Sequence, residues 1–111
     1  MLTIRFQDTE QGRQMTFSGH AGAAGHGKDL VCAAASMLAC TAAQSLMALH
    51  REGALQTPPR VLLTPGRGEI TIQERNARAD AVFFTIRTGC SLLAGKYPRY
   101  VRLEMNTEER N

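Results

Sequence analysis

Apolar and polar residues alternate in two short segments within the first eighteen positions of the chain. Leu2, Ile4 and Phe6 are each followed by a polar residue, and residues 13–18 repeat the alternation. A period of two is typical of a strand with one buried face, so both segments are predicted to be strands. Turn-forming residues fill positions 8–12, which predicts that the two strands form a hairpin.

The pattern then changes to that of a helix. Residues 19–28 contain four glycines and no large apolar side chain, which predicts a mobile loop. From Asp29 to about His50 strong helix formers dominate, with apolar residues at three- and four-residue steps. No charged residue lies between Asp29 and Arg51. The helix is therefore apolar nearly all round and needs cover from a sheet and a second layer or a partner subunit.

The second half of the chain repeats this order and adds one strand. The pattern predicts strands at Val61–Thr64 and Glu69–Gln73 around the turn Pro65–Gly68, a helix from Arg78 to about Gly95, and a last strand at Tyr100–Asn106. The resulting ββαββαβ order lacks the regular alternation of parallel βαβ folds. We therefore predict the α+β class, with a mainly antiparallel sheet packed with two helices.

Composition is that of an ordinary globular domain. The 111 residues are 43% hydrophobic and 21% charged, so residues 1–111 are taken as a single domain. The chain begins without a basic segment followed by an apolar run, and no stretch of about 18 uninterrupted apolar residues occurs, so we expect a cytoplasmic protein without membrane contact. The net charge of +3 is scattered and lacks an RNA-binding signature, so direct nucleic-acid binding is not expected.

The cysteines are the first candidates for chemistry. Cys32, Cys40 and Cys90 form no CxxC pair, which argues for reduced thiols and against a disulfide framework or a structural zinc site. Asp29 is predicted to be the N-cap of the first helix, which places Cys32 at the third helical position. The positive end of the helix dipole favours a thiolate there, although the charge of Asp29 opposes the effect.

His20 is the candidate partner of this thiol. It lies at the junction of the second strand and the glycine-rich segment, twelve residues before Cys32. A loop that folds back can bring the imidazole to the thiol, where it would act as general base and later protonate the leaving amine. Asp29 or a backbone carbonyl could orient His20. Ser36, one turn after Cys32, could bind the imidazole or the substrate, and backbone amides at the helix start could bind the oxyanion.

Other interpretations of the same residues stay open at this point. By composition alone Cys32, like Cys40 and Cys90, fits an inert packing residue, and a histidine beside glycines fits an ordinary loop residue. His20, His26 and Cys32 could be metal ligands, but their six-residue spacings match no usual zinc pattern, so no metal is predicted. A redox thiol would need a resolving partner, and Cys40 is two helical turns from Cys32.

Residues 18–38, SGHAGAAGHGKDLVCAAASML, carry a more specific pattern. They resemble the signature G-H-A followed by G-x-D-[IL]-V-C-A-A-x-S of the ribosomal-processing cysteine protease family, Prp. His20 and Cys32 have the family spacing. The other positions in register are Gly19, Ala21, Gly27, Asp29, Val31, Ala33, Ala34 and Ser36.

The resemblance implies a cysteine endopeptidase that needs no cofactor, with Cys32 as nucleophile and His20 as general base. The implied substrate is the N-terminal extension of the large-subunit ribosomal protein L-twenty-seven, removed during ribosome maturation. The family also implies a homodimer and a substrate loop that moves over the site. The residues of this loop are Gly19, Ala21, Gly22, Gly25 and Gly27. The alternative is a non-catalytic ribosome-associated binding module in which Cys32 only packs.

Overall fold

The structure, a computed structural model, describes residues 1–20 and 26–107, without the side chains of residues 26–29 and 107. Five strands and two helices follow one another in the predicted ββαββαβ order. They are β1 (Leu2–Asp8), β2 (Arg13–Ser18), α1 (His26–Arg51), β3 (Arg60–Thr64), β4 (Arg67–Ile72), α2 (Ala77–Lys96) and β5 (Val101–Thr107). Most predicted boundaries are within one or two residues of these, and the main difference is the start of α1.

The strands form one sheet in the order β3-β4-β2-β1-β5. Every neighbouring pair is antiparallel except β1 and β5, which run parallel. This confirms the prediction of an α+β fold with a mainly antiparallel sheet. The order places β3 at one edge, and the β3–β4 hairpin lies next to the end of β2, where Ser18 pairs with Arg67.

One face of the sheet is buried against the helices. The alternating residues Ile4, Met15 and Ile70 are completely buried on neighbouring strands. Val31 and Leu46 of α1 belong to the same core cluster, together with five residues of α2. On the opposite face β1, β2 and β4 present polar residues, as the sequence alternation predicts, and β3 presents the exposed Leu62. The described part of the chain is therefore a two-layer arrangement of a sheet and a helix pair.

The outer side of α1 is apolar but exposed. Met37 is 66% exposed and Met47 is 37% exposed, whereas Val31 and Leu46 on the inner side are fully buried. By length and composition alone Leu30–Arg51 could cross a membrane, a test that core helices of soluble proteins also pass. Of this span 33% is buried in the described structure, on the side that packs into the core.

α1 begins three residues before the predicted N-cap. The helix starts at His26, so Asp29 is its fourth residue and Cys32 its seventh. The prediction that Asp29 caps the helix, and that residues 26–28 belong to a loop, is therefore wrong. Glycine costs a helix interior only about 1 kcal/mol relative to alanine, so Gly27 does not prevent an earlier start.

Candidate active site

Cys32 lies on the inner half of α1, one residue after the buried Val31. Its side chain is partly buried and packs against the core cluster. One wall of a cavity of about 460 Å³ includes Cys32 and, on the same helix, Ser36 and Cys40. A cysteine at this position has a fixed backbone and an open approach from the cavity, which suits a nucleophile.

His20 reaches the same cavity from a different element. It follows directly after β2, where Gly19 adopts a positive φ of 88°. The Gly19 amide donates a hydrogen bond of 3.0 Å to the Gly66 carbonyl of the β3–β4 turn. The imidazole lies next to that turn, because a Cβ atom built on Gly66 would be 3.0 Å from His20 Nε2.

The cavity thus brings together the two predicted catalytic side chains. No hydrogen bond joins Cys32 and His20 among the described residues. Catalytic hydrogen bonds are often long or absent before substrate binds and form in the complex. The cavity is thus lined by a thiol and an imidazole, the two group types that a cysteine nucleophile and its general base require.

The remaining walls are mostly apolar. They come from the sheet and α1, through Leu2, Phe17, Ala35 and Ala39, and from the β3–β4 hairpin, through residues 63–68. Arg67 is the charged residue among these, and its guanidinium forms a 2.6 Å ion pair with Glu69. An apolar cavity with a few polar groups at its rim is suited to an extended peptide with apolar side chains.

The hairpin wall was not predicted as part of the site. The sequence pattern at Pro65–Gly68 indicates only a tight turn, and these residues are more than forty positions from His20. They carry no reactive side chain, so no sequence motif indicates them. Their place in the site follows from the pairing of β4 with β2, which sets Arg67 beside Ser18.

Several predicted site residues are only partly described. Ala21, Gly22 and Gly25 of the predicted substrate loop lie outside the described residues, and Gly27 belongs to the first turn of α1. The side chain of Asp29 is also outside the described part, so its predicted contact with His20 stays a prediction. The same holds for the alternative metal site, because it needs the side chain of His26.

The earlier start of α1 changes the electrostatic argument for Cys32. The helix dipole acts mainly within the first turn, and the unpaired amides are those of the first four residues. Cys32 is the seventh residue, almost two turns from the start. The positive end of the helix therefore stabilises a Cys32 thiolate less than predicted. The unpaired amides belong to residues that precede Cys32 in the helix and are not next to its sulfur in sequence.

The other two cysteines differ from Cys32 in their surroundings. Cys90 on α2 is completely buried, and this burial raises the pKa of its thiol to about 12. The thiolate is the attacking species, so this burial makes Cys90 a poor nucleophile. Cys40 is exposed and lines the cavity two turns after Cys32, so it serves as an internal comparison for the reactivity of Cys32.

Comparison with known proteins agrees with this site. The family model described as Cysteine protease Prp matches residues 1–102. The chain belongs to the Prp cysteine protease family. Its enzymatic class is therefore that of a cysteine endopeptidase, as the signature around His20 and Cys32 predicts.

Solved structures show that the Prp fold is shared. SMU.848 from Streptococcus mutans is 22% identical over 97% of this chain and 96% of its own, with a TM-score of 0.75. An essential ribosomal-processing protease Prp from Staphylococcus aureus, in complex with a covalently linked product peptide, is 20% identical over 95% and 99%, with a TM-score of 0.75. A hypothetical protein from Staphylococcus aureus is 14% identical over 95% and 99%, with a TM-score of 0.66. No curated protein matches the sequence.

Proposed function

We propose that this protein removes the N-terminal extension of the large-subunit ribosomal protein L-twenty-seven through a Cys32–His20 dyad. The observation that carries the proposal is the meeting of Cys32 from α1 and His20 from the end of β2 in one cavity. Family membership supports the reaction class. The Staphylococcus aureus relative is described as a ribosomal-processing protease and was solved with a substrate peptide, which supports the substrate class.

The proposed chemistry proceeds in two half-reactions. His20 accepts the thiol proton, and the Cys32 sulfur attacks the carbonyl carbon of the scissile bond. The C–N bond breaks as the imidazolium protonates the leaving amine, which leaves a thioester on Cys32. Water then attacks the thioester while His20 accepts its proton, and the proton returns to the sulfur as the carboxylate product leaves. The sequence of steps needs no cofactor.

The walls of the cavity support a peptide substrate. Leu2, Phe17 and Leu63 offer apolar surface beside the dyad, which suits the burial of apolar side chains next to the scissile bond. The exposed strand β3 contributes Leu63 and Thr64 to the cavity wall. Binding of RNA has no part in this proposal.

The test is cleavage of a peptide that spans the extension junction of the organism's own L-twenty-seven, followed by mass spectrometry. We expect cleavage at one bond by wild type and by Cys40→Ala. Cys32→Ala and His20→Ala are expected to lose activity by at least about a hundredfold, since each removes an acting group. Cys40→Ala is the matched control, because it removes a thiol from the same cavity wall. A folded wild type that leaves both peptide and full-length substrate uncut would support the non-catalytic binding module.

We also propose that the protein acts as a cytoplasmic homodimer. The exposed apolar side of α1, with Leu30 at 60% and Met37 at 66% exposure, offers a surface that a second copy could cover. Light scattering should then give twice the chain mass, and Met37→Glu should give the single chain mass. Cell fractionation should recover the protein in the cytoplasmic fraction and not with the membranes. A monomeric wild type would contradict the dimer without affecting the dyad.

A further inference from the structure

The imidazole of His20 rests against a glycine of the neighbouring hairpin. A Cβ atom built on Gly66 would have three nearest heavy neighbours, and all three belong to the His20 ring. They are Nε2 at 3.0 Å, Cε1 at 3.2 Å and Cδ2 at 3.9 Å. The ring edge that carries Nε2 therefore occupies the space that any other residue at position 66 would fill.

The backbone around this contact is held in place on both sides. Gly66 has a φ of +77° and is the third residue of the turn Thr64–Arg67, in which the second residue is Pro65. A glycine with positive φ after a proline is typical of a type II turn. The Gly66 carbonyl accepts the 3.0 Å hydrogen bond from the Gly19 amide, so the turn is tied to the residue directly before His20.

Gly19 is itself restricted. Its φ is +88°, and a Cβ atom there would lie 2.7 Å from the carbonyl oxygen of Met1. The end of β2 therefore passes close to the start of β1 and cannot shift in that direction. Because the backbone at Gly19 is fixed, the position of the next residue, His20, is restricted too. Its imidazole lies next to the backbone of Gly66, and this contact limits the positions that the ring can adopt.

We propose that Gly66 is a positioning residue for the base: the absence of a side chain there lets the His20 ring lie in the cavity that Cys32 also lines. This inference rests on the proposed dyad and names a residue outside its sequence signature. A methyl group at position 66 shifts the ring by a few tenths of an ångström, because the nearest opposing atoms belong to the His20 side chain. The expected defect is in proton transfer and not in peptide binding.

The chain offers a matched control for the backbone strain that alanine introduces. Gly53 has nearly the same φ, +82°, but nothing lies within 4 Å of a Cβ atom built on it. Gly53→Ala and Gly66→Ala therefore carry similar conformational strain, and only Gly66→Ala meets the imidazole. Gly66→Asn is a second test variant. Asparagine tolerates a positive φ, so it adds less backbone strain than alanine, but its side chain still occupies the space next to the His20 ring.

The experiment measures two quantities on wild type, Gly66→Ala, Gly66→Asn, Gly53→Ala and His20→Ala. The first is kcat and KM for the junction peptide. The second is the rate of Cys32 alkylation by iodoacetamide from pH 5 to 10, with peptide mapping to separate Cys32 from Cys40. Circular dichroism and thermal unfolding establish that each variant is folded.

We expect both Gly66 variants to lose at least about tenfold in kcat with KM within about twofold, because general acid–base catalysis contributes 10²–10⁴-fold. Their alkylation profiles should move toward that of His20→Ala, and Gly53→Ala should match wild type. Adding Gly66→Ala to His20→Ala should change the alkylation rate no further, since the ring it displaces is gone.

Two results would overturn the inference, and they are distinguishable. If wild type depends on His20 for alkylation and cleavage, but Gly66→Ala and Gly66→Asn equal wild type, the dyad stands and the positioning role is wrong. If wild type and His20→Ala have the same alkylation profile and the same activity, the dyad itself is wrong and Gly66 has no base to position.

Discussion

Gly12 should be among the glycines least able to accept a side chain. It is buried in the turn between β1 and β2, next to the last residue of β4. A Cβ atom at Gly12 would overlap the carbonyl oxygen of Ile72 and lie 2.9 Å from its carbonyl carbon. Both are backbone atoms in a paired strand, so no rotation of a side chain can relieve the overlap.

The cost of Gly12→Ala follows from the movement that it forces. The turn has to move away from β4, which disturbs the pairing of Arg13 with Ile72 and the 2.9 Å hydrogen bond from the Thr9 amide to the Gly12 carbonyl. Overpacking costs roughly 1–3 kcal/mol and each lost hydrogen bond about 1 kcal/mol. We therefore expect a loss of about 3 kcal/mol in the free energy of unfolding.

Urea denaturation and thermal unfolding check this value. A loss of about 3 kcal/mol should lower Tm by more than about 10 °C in a domain of this size. Gly95→Ala is the matched control, because nothing lies within 4 Å of the Cβ position on α2. It should leave stability unchanged or raise it by up to about 1 kcal/mol. A Gly12→Ala protein as stable as Gly95→Ala would refute the close approach of the turn to β4.

The remaining predictions concern the core, a helix cap and alkaline pH. Leu46→Ala should lower the free energy of unfolding by about 2–5 kcal/mol in urea titrations, whereas Leu92→Ala on the exposed side of α2 should change it little. Asn76 accepts hydrogen bonds from the amides of the first turn of α2, so Asn76→Ala should cost about 1 kcal/mol, unlike the exposed Asn106→Ala. Burial raises the pKa of Cys90 from 9.0 to about 12, so the unfolded state loses its proton first and stability should fall by about 1.4 kcal/mol per pH unit above pH 9. Cys90→Val should lack this decline in stability. An equal decline in both proteins would mean that other titrating side chains, and not Cys90, cause the pH dependence.

Local patterns were sufficient to predict the elements and the class of the fold. Alternation in β1 and β2 and the helical spacing in α1 and α2 each depend on residues close together in sequence. The parallel pairing of β1 with β5 was not predicted, because Leu2 and Val101 meet only through the folded core. Strand order is set by long-range packing, which a local pattern does not record.

In the candidate site, too, the residues of a local motif were predictable and those that meet through long-range contacts were not. His20 and Cys32 lie within one sequence signature, so the spacing that identifies the family also predicts these two residues as the candidate catalytic pair. The hairpin wall and the contact of Gly66 with the imidazole join residues far apart in sequence. The role of Gly66 is steric, since it depends on the absence of a side chain. Such a role involves no reactive residue type, so the sequence gives no signal for it.

The start of α1 at His26 also bears on how the proposed reaction stabilises its oxyanion. The amides of α1 from Leu30 onward donate within the helix, including that of Cys32, so they are not available to a developing charge. Oxyanion stabilisation usually needs donors about 3 Å from the charged oxygen. Donors for the Cys32 site therefore have to come from backbone outside the regular part of α1, or from a side chain such as Ser36 at the cavity wall. Rate enhancement at Cys32 would then depend on donors other than the amides of α1, and not on the helix dipole alone.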